Sequence, residues 1–460
     1  MRKWIGDRDF YKMVMIVAIP IMVQNGITNF VSLLDNIMVG QVGTEQMSGV
    51  AIVNQLIFVF NLCIFGGLSG AGIFTAQFYG QGNQEGIRST IRAKIWMAIV
   101  ITILAELIFW NFGDRLISLY LHENNDPAGN AAALQHGMAY LRIMMIGLLP
   151  FMFVQVYSST LRETGETILP MKGGILAVAV NMMLNYVLIF GKLGLPALGV
   201  RGAAIATVTS RFAECFFVLT WTHRHKEKNS YIEGLYRSMK VPAKLVGQIV
   251  KKGMPLLVNE TLWSAGMAIL LQCYSVRGLS VVAALNISNT IANVFNVAFL
   301  ALGNAVAIIV GQLLGAGKMK EARETDTKLI AFSVAICFGL GVLLALTAPL
   351  FPRIYNTSDE VKALAVCFIW VAAFCMPQNA FMNTAYFTLR SGGKTVVTFF
   401  FDSVYMCCVN VPLAFVLSRY TGLHIVLVYF LCQMVDLVKC AIGFVLVKKG
   451  VWIQNIVVNE

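Results

Sequence analysis

The stretch QFYGQGNQEGIR occupies residues 77–88, and a related stretch, QLLGAGKMKEAR, occupies residues 312–323. An offset of 235 residues aligns four of their positions: Gln77 with Gln312, Gly80 with Gly315, Gly82 with Gly317, and Arg88 with Arg323. The same offset aligns three further pairs: Pro20 with Pro255, Asn54 with Asn289, and Asn61 with Asn296. One offset that holds over so long a stretch predicts two copies of one structural unit.

A second pair of related stretches supports the repeat at a slightly different offset. LRETGET at 161–167 matches LRSGGKT at 389–395, an offset of 228 residues. Each copy has a proline upstream, Pro150 in the first and Pro377 in the second. The repeat therefore covers most of both halves of the chain.

The composition identifies the medium in which these halves fold. Of the 460 residues, 58% are hydrophobic and only 13% are charged, and the mean hydropathy is +0.72. An ordinary soluble domain carries about 25% charged residues, so this chain cannot cover a water-facing surface. A soluble enzyme, a disordered chain and a secreted disulfide scaffold are excluded, which leaves an all-α polytopic membrane protein.

Apolar runs of about 20 residues predict twelve transmembrane helices. The predicted spans are 13–39, 49–77, 95–112, 137–161, 171–190, 203–222, 253–276, 283–312, 329–350, 363–389, 397–417 and 425–447. The fourth run is the weakest, because Arg142 interrupts it.

The net charge of +12 reflects how the chain is oriented across the membrane. With the N-terminus inside, 25 of the 35 Lys and Arg residues lie in cytoplasmic segments and 7 in outer loops. This asymmetry predicts a multi-pass protein with both termini cytoplasmic and an even number of spans. The expected location is the plasma membrane. The same placement argues against nucleic acid as a partner.

The longest hydrophilic stretch divides the predicted spans six and six. We expect an N-lobe over 1–222 (TM1–TM6), a cytoplasmic inter-lobe linker over 223–252, and a C-lobe over 253–460 (TM7–TM12). Because six helices separate the copies, both halves begin on the same side of the membrane. The expected architecture is two pseudo-symmetric six-helix bundles facing a central cavity, which is typical of transporters.

The sequence resembles the multidrug and toxic-compound extrusion (MATE) family over nearly its whole length. The resemblance rests on Pro20, Asp35 and Gly40 in the first span, Gly80 and Gly82 after the second, the LR-x-x-G turns, and GLPALGVRGAAIAT at 194–207. It implies secondary-active multidrug efflux, in which a monomer exports cationic, apolar drugs in exchange for Na⁺ or H⁺ by alternating access. A lipid bilayer and small-molecule drugs are the implied partners.

Three alternatives remain beside this resemblance. A flippase or metabolite exporter of the wider superfamily would share the topology. A major facilitator would carry a G-x-x-x-D-R/K signature between spans two and three, where this chain has GQGNQEGIRSTIRAK. An intramembrane enzyme would need a clustered catalytic set, and none is visible.

Acids inside the spans are the candidate coupling residues, because a charge at mid-bilayer costs at least about 2.5–3.5 kcal/mol. Six acids qualify: Asp35, Glu106, Glu214, Glu260, Asp402 and Asp436. Asp436 and Lys439 stand three residues apart, a spacing that favours a local ion pair.

The resemblance assigns Asp35 to the cation site of the N-lobe. Around it the family places polar residues of spans five and six, to which Asn181, Asn185 and Thr207 correspond. Asn181 and Asn185 share one helix face. One branch of the family has an aspartate at the position of Asn185, so a site with two carboxylates is incomplete here. The two amides are equally compatible with interhelical hydrogen bonding.

In the C-lobe, Glu260 is the second candidate for cation coupling, and a possible polar site contains Asn379 and Asp402. The branch that couples through this lobe has an aspartate at the position of Asn379. Asp402 lies near the start of the eleventh span, and a structural role is an equal alternative to a functional one.

Pro20 and Pro255 interrupt the hydrogen bonding of equivalent helices, which makes them candidate hinges or static kinks. We expect no cofactor beyond the coupling ion, and no metal beyond a transported Na⁺. No histidine or cysteine has metal-ligand spacing, and no Walker A sequence occurs.

Overall fold

The computed structural model describes residues 4–40, 42–121, 127–192, 194, 196–355 and 357–457, with the side chains of 31–37, 40, 44 and 127 excluded. Within these ranges the chain is 86% helical and contains no strand. The predicted all-α class is confirmed.

The fifteen α-helices of the described ranges follow one another with short connections. They are α1 (Arg8–Gly40), α2 (Thr44–Gln81), α3 (Gln84–Leu121), α4 (Pro127–Ile146), α5 (Leu148–Glu163), α6 (Ile168–Phe190), α7 (Val200–Arg224), α8 (Ala243–Ser275), α9 (Leu279–Gly315), α10 (Met319–Thr347), α11 (Asp359–Ser391), α12 (Thr395–Phe399), α13 (Val411–Tyr420), α14 (Ile425–Met434) and α15 (Asp436–Lys449).

Most of these helices are long and apolar enough to cross a membrane. In the described part of the chain, eleven segments meet that condition alone, with α12–α13 and α14–α15 each counted as one segment. The pair α4 and α5 makes a twelfth if it is one bent span. Several helices extend past the predicted spans, because polar first and last turns continue the helix beyond the apolar run.

The fourth span departs from the straight helix predicted over 137–161. It bends by 48° between α4 and α5, where Gly147 separates the two helices. Pro150 explains the break, because its ring has no N–H for the carbonyl of Ile146 and collides with that carbonyl. Phe151 N (3.3 Å) and the Arg211 guanidinium (3.4 Å) both donate to the carbonyl of Gly147.

Two compact units divide the chain at boundaries other than the predicted ones. Unit 1 contains Met1–Met22, Ala76–Asn83 and Ile249–Glu460, and unit 2 contains Val23–Thr75 and Gln84–Gln248. The start of α1 and the end of α2 thus group with the C-terminal half. Pro20 and Pro255 both fall in unit 1, each inside its helix. The predicted lobe boundaries stay a prediction.

The main core of unit 1 joins the start of α1 to α9, α10 and α11. It is built from small and branched side chains, with Trp452 fully buried among them; its members include Val14, Ala18, Ile21, Ala305, Val306, Val310, Leu314, Ala322, Leu329, Ala385 and Leu389. Fully burying one branched side chain contributes about 1.5–3 kcal/mol.

In unit 2 the predicted hydrophilic linker is partly folded against α3. Two 3₁₀ turns, Ser230–Ile232 and Leu235–Arg237, interrupt it. Arg92 donates to the carbonyls of Leu235 (2.9 Å) and Gly234 (3.0 Å), and Arg88 donates to that of Tyr231 (3.1 Å). The two arginines thus donate hydrogen bonds to carbonyl groups that would otherwise need water as a partner.

Candidate functional site

The three predicted polar residues of unit 2 form one hydrogen-bonded cluster. Asn181 and Asn185 lie on the buried face of α6, with 4% and 1% of their surfaces exposed. Asn185 Nδ2 donates to Asn181 Oδ1 (3.0 Å), and Asn181 Nδ2 donates to Thr207 Oγ1 of α7 (3.2 Å). The structure therefore brings these residues together, on buried faces of α6 and α7.

Asp35, the acid that the resemblance assigns to this cluster, lies in α1. Its side chain falls outside the described residues, so its role stays a prediction. Gln24 of α1 does reach α6: a Cβ added to Gly174 would lie 3.4 Å from Gln24 Cγ. The two helices are thus in contact at Gly174.

The predicted C-terminal acid Asp402 is the centre of an interhelical network in unit 1. It lies in a π-helical segment, Phe400–Val404, that follows α12. Lys439 Nζ of α15 contacts Asp402 Oδ1 at 2.7 Å, and Asn259 Nδ2 of α8 contacts Oδ2 at 3.1 Å. Ser403 Oγ donates to Asn259 at 2.7 Å. Both carboxylate oxygens are therefore occupied by protein donors.

The local pair predicted between Asp436 and Lys439 is not a direct ion pair in the described ranges, although the two groups still interact electrostatically. Lys439 pairs with Asp402 across the helices, and Asp436 accepts a hydrogen bond from Asn410 Nδ2 at 2.9 Å. The spacing favoured a local pair, but the π-helical turn carries Asp402 to the ammonium group. π-helical segments of this kind are frequent at functional sites.

Glu260 joins the same region from α8. Its carboxyl group interacts electrostatically with the guanidinium of Arg390 and with Asp402, and the hydroxyl of Tyr386 interacts with both Glu260 and Arg390. With Lys439 and with Asp436, which interacts electrostatically with Asp402 and Lys439, the network contains three acids and two bases. Its acids therefore outnumber its bases by one.

The third predicted residue of this region, Asn379, is half-buried in α11. Among the hydrogen bonds and ion pairs of the described ranges, none joins it to Glu260 or Asp402. The structure thus brings together two of the three predicted C-terminal residues.

Sequence reasoning missed two buried ionisable groups. Lys94 of α3 is fully buried and contacts Glu163 of α5 at 2.5 Å, with Ser159 and Thr160 as further partners at 3.2 Å. Asp326 of α10 is also fully buried. Both lie in stretches that were assigned to cytoplasmic segments because of their neighbouring charges.

A periodic signal was available for Asp326. Positions 322, 326, 329 and 333 repeat at helical spacing, and all four residues are buried: Ala322, Asp326, Leu329 and Ser333. The position of an acid on such a buried stripe indicates burial better than its distance along the chain from an apolar run.

The repeated stretches that opened the sequence analysis cross each other inside unit 1. A Cβ added to Gly80 would overlap the carbonyl oxygen of Gln312, and one added to Gly315 would overlap that of Gln77. The two copies of the motif therefore contact each other reciprocally. Only glycine permits backbones to approach so closely.

The chain beyond α15 closes over this crossing. Gln77 is fully buried and donates to the carbonyls of Ser391 (3.0 Å) and Gln454 (3.3 Å), and Ile456 N donates to Gln77 Oε1 (2.8 Å). Asn455 Nδ2 donates to the carbonyl of Gly315 at 3.0 Å. We name residues 451–457 the C-terminal strap.

The arrangement supports ion and ligand exchange better than covalent chemistry. Over the part of the chain that the structure covers, no group of three His, Cys, Asp or Glu residues could hold a metal ion. The site residues are amides, hydroxyls and paired charges on membrane-spanning helices. These define a polytopic membrane protein with buried ionisable sites, the class to which secondary transporters belong.

The chain belongs to the MatE family, whose model matches residues 20–187 and 255–416. A probable multidrug resistance protein, NorM of Thermotoga maritima, is 28% identical over 417 residues, covering 88% of this chain and 85% of the relative. The probable multidrug resistance protein YoeA of Bacillus subtilis is 25% identical over 412 residues, covering 88% and 87%.

The fold agrees with that of solved family members. A MATE family multidrug resistance transporter in an outward-facing conformation superposes with a TM-score of 0.85 at 18% identity, covering 98% of this chain and 97% of that structure. The predicted family is therefore confirmed, and its named relatives are transporters rather than enzymes.

Proposed function

We propose that this protein is a secondary-active multidrug exporter, which moves cationic, apolar drugs out of the cell in exchange for Na⁺ or H⁺ by alternating access. The observation that carries the proposal is the family match across both halves, together with relatives named as multidrug resistance proteins. We further propose a monomer in the plasma membrane with both termini cytoplasmic, which the distribution of Lys and Arg supports.

We assign the coupling ion to the cluster of Asn181, Asn185 and Thr207, with Asp35 as the only acid assigned to it. Amide and hydroxyl oxygens suit a hard cation such as Na⁺, and a carboxyl group suits H⁺. In the described part of the cluster, no cationic side chain compensates a bound charge.

Glu260 and Asp402 have a different role in this proposal. Lys439 and Asn259 already contact both carboxylate oxygens of Asp402, so a coupling ion would have to displace a protein donor there. A cationic drug can instead compete with Lys439 for the carboxylate of Asp402. We therefore assign this network to the drug rather than to the ion, with Pro20 and Pro255 as hinges in the adjoining helices.

Proteoliposomes loaded with ethidium test the ion assignment. We expect export under an inward Na⁺ gradient or an inward H⁺ gradient, and the responding gradient identifies the coupling ion. Asp35→Asn should abolish export while membrane insertion persists. Asp359→Asn is the matched control, because Asp359 is a fully exposed acid at the start of α11.

Two results count against these proposals. Ethidium retention under both gradients rejects drug export and directs attention to a flippase or metabolite exporter. Normal export by the Asp35→Asn variant rejects the ion site alone.

A further inference from the structure

Asp326 is a buried acid that does not belong to the network around Glu260. It lies in α10 with none of its surface exposed. Oδ1 lies 2.5 Å from Thr388 Oγ1 of α11. Oδ2 is buried and has no hydrogen-bond partner. One oxygen of this carboxyl group is therefore shielded from solvent without a hydrogen-bond partner.

In the described ranges, the helices that pack against α10 place no charged side chain against Asp326. The sequence of α9, 279–315, contains no ionisable residue. In α11 the nearest base is Arg390, whose guanidinium lies 5.3 Å from the centre of the Phe387 ring. Arg390 follows Thr388 by two residues, which places it roughly 200° around the helix. Asp326 and the Glu260 network thus lie on opposite faces of α11.

Of the three bases of α10 itself, Lys320 is exposed and the other two contact groups other than Asp326. Arg323 donates to the carbonyl of Lys448 at 2.7 Å, and Lys328 Nζ lies 5.9 Å from the centre of the Phe10 ring. The C-terminal strap carries no charge. The charged residues at the start of α1 are exposed: Arg8, Asp9 and Lys12. No ion pair with Asp326 exists in the described ranges.

These surroundings favour the neutral form of the acid. Burying a carboxylate with one hydrogen bond and no nearby cation costs on the order of several kcal/mol, which is the penalty for an unpaired ion in a protein interior. Thr388 has a single hydroxyl hydrogen, and the carbonyl of Thr384 lies 2.9 Å from the same hydroxyl. When Thr388 donates to Thr384, the hydrogen in its contact with Asp326 comes from the carboxyl group.

We propose that Asp326 and Thr388 form a proton-binding site in unit 1, at which the carboxyl group of Asp326 carries the proton. Asp326 stands seven residues after the first residue of α10, about 10 Å along the helix. Lys318, Lys320 and Arg323 mark that end as water-facing. When transport opens this end, the Asp326 O–H bond breaks, water takes the proton, and the carboxylate becomes hydrated.

The coupling step rests on the proposed function, whereas proton occupancy is measurable without transport. Infrared spectroscopy of the purified protein resolves the C=O stretch of protonated carboxyl groups. We expect Asp326→Asn to lose the absorbance of one such group. Asp402→Asn should lose none, because Asp402 forms an ion pair with Lys439 at 2.7 Å. An unchanged spectrum in Asp326→Asn overturns the site.

Thr388→Val provides a second test, which retains the acid if Asp326→Asn fails to fold. The valine removes the hydroxyl partner, so the carboxyl band should shift but persist. Ser333→Ala is the control, since Ser333 is an equally buried hydroxyl two turns further along α10. Equal spectra for Thr388→Val and Ser333→Ala overturn the assignment.

Proteoliposomes test whether this proton moves. The number of protons entering per exported ethidium molecule should fall by one in Asp326→Asn, and ethidium binding should be unchanged. Wild-type export with the same proton count in the variant overturns the coupling step. If wild-type vesicles export no ethidium, the proposed function fails, and the infrared measurements still decide the proton site.

Discussion

Substitution of Gly315 by alanine probes the crossing of the two repeated motifs most directly. An added Cβ would overlap the carbonyl oxygen of Gln77 and lie 2.5 Å from its carbonyl carbon, whereas ordinary contacts lie at 3.4–4 Å. The obstacle is backbone, so no rotamer change relieves it. We expect the end of α2 and α9 to move apart at this contact.

That separation has two costs. Overpacking of a closely packed contact costs about 1–3 kcal/mol. It also draws Gln77 away from Ile456 N and the carbonyl of Ser391, now at 2.8 Å and 3.0 Å. Two hydrogen bonds at about 0.5–1.5 kcal/mol each bring the total to about 2–6 kcal/mol.

Thermal unfolding in detergent, followed by tryptophan fluorescence, measures this loss. Gly339→Ala is the matched control, because Gly339 is a helical glycine of α10 with nothing within 4 Å of an added Cβ. That control should be neutral or gain about 0.4–1 kcal/mol. Gly80→Ala should resemble Gly315→Ala, and the double variant should lose less than the sum, because the helices separate only once. Equal stability of the Gly315→Ala and Gly339→Ala proteins would refute the close crossing.

Three further substitutions test other parts of the structure by the same unfolding measurement. Asp402→Asn leaves Lys439 half-buried without its partner and should cost about 3–5 kcal/mol; adding Lys439→Met should recover most of it, and a lack of recovery contradicts the pairing. Asn181→Ala removes the bond to Thr207 and should cost about 1–3 kcal/mol; full stability would show that the cluster contributes nothing. Trp452→Ala should cost about 3–5 kcal/mol through a core cavity, and a smaller loss would indicate that the C-terminal strap is loosely held.

The sequence predicts the helices well because lipid imposes a simple rule. Every spanning segment needs about 20 apolar residues, and internal backbone hydrogen bonding leaves helix as the available form. The bend in the fourth span was harder to foresee, although its cause, Pro150, was visible. Pro150 lies in the middle of the span predicted over 137–161, where a proline is compatible with both a kink and a full break of the helix.

The candidate site could be predicted only in part. The i, i+4 spacing of Asn181 and Asn185 already placed both on one face, and the structure adds the hydrogen bond from Asn181 to Thr207, which the resemblance had grouped with them. The partner of Asp402 could not be predicted, because a π-helical turn changes the direction of a side chain without a clear mark in the sequence. Asp326 was missed since neighbouring charges concealed its inward position.

The reciprocal crossing of the two motifs has a consequence for biosynthesis. Gly80 is made early, yet the chain that it contacts, at Gln312, emerges more than 200 residues later. Ile456, which holds Gln77, follows later still. Until nearly all of this sequence has been translated, Gln77 at the end of α2 therefore lacks these protein partners and must be hydrogen-bonded by water. Ribosome-stalled chains ending before residue 451 should leave Gln77 accessible, and quality-control proteases should cut there first.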